Sequence, residues 1–222
     1  MSRGRAQLAK AWRIAGMRVR AANGRARLAG LHWLHPGLRV DASASPGFGV
    51  ARISLTPGAK LTIGANAATE YRPGLLNLVV FDGAEIEIAA NAWLRTEVAP
   101  VNLVAFPGAR IVIGPEVMLN GCSVSAQREV VFARRSTMGP GSRIYDFSHD
   151  LDDARPGFSA PVAIGECSWI ASDVTVLPGV TIGAHCVIGA RSLVTRDVPP
   201  HTLAFGAPAA ARGAIGDRSR AL

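Results

Sequence analysis

His149 stands in the segment Tyr145-Asp146-Phe147-Ser148-His149-Asp150-Leu151-Asp152, and no other histidine lies between positions 36 and 184. An imidazole with its ordinary pKa near 6.5 can take a proton from a hydroxyl at neutral pH, which suits it to general-base work. Asp146 and Asp150 flank it. Either carboxylate could orient the ring or raise its basicity, and Asp146 could equally bond the turn backbone. A surface histidine in an acidic loop is the reading without chemistry.

The surrounding sequence is a repeat, and the histidine sits where the repeat breaks. Over residues 164–199 an aliphatic residue returns every six positions: Ile164, Ile170, Val176, Ile182, Ile188 and Val194. Four places after each comes a small or β-branched residue, among them Ser168, Cys186 and Ser192. Neither a helical nor an alternating period gives this rhythm. A six-residue period predicts a parallel β-helix, with short strands stacked around a narrow core. Upstream, Thr56-Pro57-Gly58-Ala59 recurs as Phe81-Asp82-Gly83-Ala84 and Phe106-Pro107-Gly108-Ala109, with starts 25 residues apart. These read as early coils carrying insertions. Ile113, Leu119 and Ser125, then Phe132, Met138 and Ile144, lead into the shorter rhythm. Residues 146–161 lack any repeat and predict a protruding loop on a rigid scaffold.

Residues 161–212 carry a family resemblance in Trp169-Ile170-Ala171-Ser172, Pro178-Gly179-Val180-Thr181-Ile182-Gly183, Val194-Thr195-Arg196-Asp197-Val198-Pro199-Pro200 and Gly206-Ala207-Pro208-Ala209. They resemble the hexapeptide-repeat acyltransferases, most closely the maltose and galactoside O-acetyltransferase branch and its polysaccharide-modifying relatives. The resemblance is strong over 111–212, weaker over 50–110 and absent before that. It implies an all-β, left-handed parallel β-helix and a homotrimer whose active sites are each shared by two subunits. It further implies acetyl-CoA as acyl donor and His149 as the base, deprotonating a sugar hydroxyl as it attacks the thioester. Asn120 matches the family asparagine that faces the acceptor, where an amide would hold the hydroxyl or the developing oxyanion; an asparagine ladder at a coil corner is its structural alternative. Ser172, Ala190, Thr195 and Arg196 match the coenzyme A track, with Trp169 at its start. Arg196 is a lysine in many relatives, which keeps the charge but changes its geometry.

Composition bounds the remainder. Residues 1–40 hold nine Lys or Arg and no Asp or Glu, whereas residues 41–222 hold fifteen basic and sixteen acidic side chains. The net charge of +8 therefore belongs to an N-terminal segment. There Leu8, Trp12, Ala15 and Val19 fall at helical spacing, and Asn23-Gly24 reads as a stop, so residues 1–40 predict a basic amphipathic helical segment of one or two helices. It would lie on an anionic membrane surface, or pack on the β-helix or a neighbouring subunit. No basic track continues into the body, which argues against nucleic acid. Residues 41–212 form the β-helix domain and 213–222 a flexible tail. Cys122, Cys167 and Cys186 form no CxxC pair and read as reduced core thiols. No metal is required, and a zinc enzyme of the carbonic-anhydrase kind would need partner histidines that the coils lack. No apolar run is long enough to span a membrane and no signal peptide is present, so a cytoplasmic or peripheral inner-membrane protein is expected. The expected function is O-acetyl transfer from acetyl-CoA to a sugar or glycan precursor in polysaccharide biosynthesis. The alternatives are a non-catalytic β-helix scaffold, another acyl donor, or an amine acceptor.

Overall fold

The computed structural model describes residues 2–149 and 157–220. The chain winds into a left-handed triangular β-helix whose three faces are parallel sheets of short strands. In chain order, sheet I runs from Leu38–Val40 to Thr181–Ile182, sheet II from Ala68–Thr69 to Thr202–Gly206, and sheet III from Arg52–Leu55 to Leu193–Val194. The hexad follows from this geometry: each aliphatic residue supplies the inward position of one face. Ile164 pairs with Ile182 on sheet I, Ile170 with Ile188 on sheet II and Val176 with Val194 on sheet III, all 0–1 % exposed. Residues 18 positions apart therefore stack on one face. Leu61, Ile86, Ile111, Val130 and Val162 form a comparable buried column along the earlier coils.

The rhythm slips once where it was expected to hold. Val124 and Ala126 point inward and Ser125 faces outward, because the turn Gly121-Cys122 between Met118–Asn120 and Ser123–Ala126 is short. The 25-residue coils carry their extra residues at 70–75 and 96–100, both on the edge between sheets II and III. Glu70 ties these insertions together, its carboxylate accepting from Thr96 N at 2.6 Å, Thr96 Oγ1 at 3.0 Å and Trp93 Nε1 at 3.0 Å. The sheet I–II edge turns through left-handed residues in successive coils, from Asn66 and Asn91 to His185 and His201. That places His185 at a corner.

Both ends differ from expectation. A single helix, Ser2–Leu34, runs through Asn23-Gly24 without stopping. Gly24 is there for a tertiary reason: a Cβ on it would sit 2.3 Å from the Pro46 carbonyl oxygen. Leu28 and Leu31 then pack on the first coil, and Arg27 donates to Gly49 O at 2.9 Å. The helix thus closes the open end of the solenoid, which would otherwise expose core. Of the stripe expected along it, the side chains of Leu8 and Trp12 lie outside those described. At the other end Ala209–Ala214 turns back antiparallel to Thr202–Gly206. The chain then docks through Ile215 N on His201 O and Arg218 N on His185 Nδ1, where a free tail was expected.

Candidate active site

His149 is presented by the edge between sheets III and I. Arg143–Tyr145 ends sheet III's fifth strand, and the chain leaves the prism until Val162–Ile164 resumes on sheet I. The loop base is closed by a Phe147–Ser159 bridge, a Ser148 N to Phe158 O bond of 2.8 Å and an Ala160 N to Asp146 O bond of 2.8 Å. Asp146 is fully buried, and its two oxygens accept from Gln127 N at 2.6 Å and Arg128 N at 2.7 Å. Of the two roles the sequence left open, the geometry favours bonding the backbone: the carboxylate locks the loop root to the preceding coil. Asp150 lies outside the described residues. The exposed His149 ring packs edge to face on Phe147 at 5.7 Å, beside a hollow of about 260 Å³ lined by Gln127, Ser148 and residues 157–159. Phe147 is itself held edge-on by Phe106 at 5.5 Å, and Phe106 stacks on Phe81 at 5.6 Å. Sequence reading missed this aromatic support. Its signal was present, since Phe81 and Phe106 open successive 25-residue repeats.

Asn120 lies on the other edge of sheet III, where sheet II ends. Its strand pairs with Trp93–Arg95, and Gly121 at φ 52° turns the corner under the insertion 96–100. A Cβ on Gly121 would come within 2.8 Å of Ala99 Cβ, so the insertion rests directly on this turn. The Asn120 Oδ1 is buried and has no hydrogen-bond partner among the described residues. A buried acceptor without a donor costs about 1–3 kcal/mol, and Thr56 Oγ1, Thr69 Oγ1, Asn77 Oδ1 and Arg95 Nε are likewise buried without a partner among the described residues.

Four of the five expected coenzyme A residues divide between the same two edges, and Trp169 lies on neither. Ser172 and Ala190 follow Asn120 along the sheet II–III edge, linked by Asp173 N to Pro140 O and Arg191 N to Ser172 O. Trp169 faces outward from sheet II, with the Arg218 guanidinium 5.8 Å from its ring centroid. Thr195 and Arg196 are exposed on the sheet III–I edge, in the turn that Asp197 fixes by accepting from Thr181 N at 2.7 Å. Beside Arg196 lies a second hollow of about 260 Å³, lined by Pro199, Pro208 and residues 209–211. All three cysteines are buried and unpaired, and burial pushes the Cys122 thiol up to about 12. Among the described residues no cluster of His, Cys, Asp and Glu is arranged to hold a metal ion.

A left-handed prism of hexads with a histidine loop on one edge has the architecture of the hexapeptide-repeat transferases, and comparison with known proteins agrees. Residues 161–196 match the bacterial transferase hexapeptide (six repeats) family. Galactoside O-acetyltransferase of Escherichia coli is 44 % identical over 72 residues, which cover 32 % of this chain and 36 % of that protein. This chain spans little more than a third of the length of the curated relatives it matches. The crystal structure of a galactoside acetyltransferase in complex with coenzyme A is 31 % identical with a TM-score of 0.51, covering 61 % of this chain and 66 % of that one. The polySia-specific acetyltransferase NeuO shares the fold at 19 % identity, with a TM-score of 0.56 over 82 % of this chain and 89 % of that one.

Proposed function

We propose that this protein is a CoA-dependent O-acetyltransferase acting on a hydroxyl of a sugar or glycan precursor. It would work as a homotrimer with each active site shared by two subunits. The observation that carries this reading is the division of the matched residues between two edges of one sheet. Asn120, Ser172 and Ala190 occupy the sheet II–III edge; His149, Thr195 and Arg196 occupy the sheet III–I edge. A face about five residues wide spans roughly 15–20 Å, more than an asparagine and a histidine side chain can bridge. One copy alone cannot bring both to a single reacting hydroxyl. A ring in which one edge of each copy meets the other edge of its neighbour does so at every interface.

In such a site the acceptor hydroxyl gives its proton to the His149 imidazole as its oxygen attacks the acetyl carbonyl. The C–O bond forms, the C–S bond breaks, and the imidazolium returns the proton to the departing sulfur. Acetyl-CoA supplies the activated acetyl group. The neighbour's Asn120 amide holds the hydroxyl oxygen or the oxyanion by donating its Nδ2–H to it. Arg196 meets phosphate and the small residues at 172 and 190 let the pantetheine arm lie close. The galactoside acetyltransferase seen with coenzyme A supports this choice of donor.

Calorimetric titration with acetyl-CoA and with free CoA tests the reading. Saturable binding is expected. Arg196→Ala should weaken it about 10–100-fold, the worth of a charge-assisted bond to phosphate. His149→Ala should retain it while losing about 10²–10⁴-fold in transfer rate in an acceptor screen. No binding up to millimolar donor would remove the proposal.

A further inference from the structure

The N-terminal helix closes the solenoid with one face and leaves another face bare. At 1.5 Å per residue its 33 residues are about 50 Å long, well beyond the width of the coil beneath it. Gly24, Leu28 and Leu31 form the seated face. At 100° per residue Val19, Ala26, Gly30 and Trp33 centre on the opposite side, and all four are exposed. Val19 is 59 % and Trp33 83 % exposed, and Leu34 beside it is 62 % exposed. Arg18 and Arg25 border this stripe on one flank and Arg20 on the other, above Arg27, whose guanidinium is bonded to the first coil. The first acidic residue in the chain is Asp41.

We propose that this outward face docks the protein on an anionic lipid bilayer. Trp33 and Leu34 stand bare side by side at the end of this line, and adjoining exposed apolar side chains rimmed by charge mark a partner surface. A helix with aromatic and aliphatic residues along one line and arginines on both shoulders lies in the plane of a membrane interface, its guanidinium groups on lipid phosphates. The positive surface continues past the helix end. There a hollow of about 710 Å³ is lined by His35, Arg39 and Lys60, together with Glu85, which lies 3.9 Å from Arg110. The β-helix axis leaves the bilayer through the capped end, which carries the site edges of the later coils away from the lipid surface.

Flotation of the full chain with vesicles decides the matter. Phosphatidylcholine vesicles containing about a third phosphatidylglycerol should carry the protein at low salt, release it at high salt, and bind about fivefold more weakly for each arginine lost in Arg18→Ser and Arg20→Ser. Val19→Asp and Trp33→Asp should abolish flotation without lowering the melting temperature, since both positions are exposed. The proposal is overturned by absence of flotation on anionic vesicles, by equal flotation on pure phosphatidylcholine, or by unchanged flotation of Trp33→Asp. It is equally overturned if the parent does not float and Trp33→Asp dissociates a higher oligomer, which would make a second copy the occupant of the stripe.

Discussion

Subunit complementation tests the shared site directly, because the edge geometry sets the size of the effect. In the proposed trimer His149→Ala removes one half-site from every interface, and Asn120→Ala removes the other half. Each pure variant should lose about 10²-fold or more in transfer rate. The interface joins two different edges, so it is directional around the ring. Any trimer containing both variants has one interface where an unaltered His149 meets an unaltered Asn120. With equal amounts and random assembly about three-quarters of trimers are mixed, each with one working site in three, so the mixture should recover about a quarter of the parental rate. The assay is CoA release with the acceptor found in the screen, on differently tagged variants unfolded and refolded together. The same variants mixed without exchange of subunits serve as control. A refolded mixture no faster than the average of its two components would refute the division of the site between edges.

Three further outcomes follow from the geometry. Asp146→Ala takes away two charge-assisted acceptors, a loss of about 2–4 kcal/mol, and should lower Tm by on the order of 10 °C in a chain of this size. If Asp146 holds the loop root, the rate falls with the pH–rate midpoint unmoved; a shifted midpoint would mean that it acts on the imidazole. Gly165→Ala should prevent correct stacking, since its Cβ would meet Ala184 N and Gly183 C at 2.4 Å, whereas Gly83→Asn, at φ 66° with open space around it, should cost no more than about 1 kcal/mol. Thermal unfolding of the two reads the contrast. Cys122 ionises near 9 when unfolded but only at about 12 in the fold, where burial opposes the thiolate. The unfolded chain therefore loses its proton first, and stability is full below pH 9 and falls as pH rises from 9 to 12. The slope from this group is about 1.4 kcal/mol per pH unit, and Cys122→Ala should remove that share in denaturant titrations.

The β-helix was legible because its core is periodic in sequence. Ile164 through Val194 each fill one face, so spacing alone announces the coil. What escaped notice depends on contacts between coils. Asn23-Gly24 has the local chemistry of a stop, yet Gly24 answers a backbone 22 residues further on at Pro46. The tail reads as free because residues 213–222 carry no repeat, and its partners are edge groups on His201, His185 and Cys167. Asp146 stands three positions from His149 and invites a catalytic pairing. Its actual partners lie 18 and 19 positions back, one coil away.

The proposed division of the site follows from spacing alone. Ser172 and Ala190 are 18 apart, one full coil, and so must share an edge. Arg196 is six beyond Ala190, one face further, and so must occupy the next edge. A ligand touching both Ala190 and Arg196 of one chain would have to wrap around a whole sheet. Meeting them on two copies requires only that neighbouring prisms lie edge to edge. The hexad that fixes the fold thereby also requires assembly for the proposed chemistry, and its register decides which residues face one another across the interface.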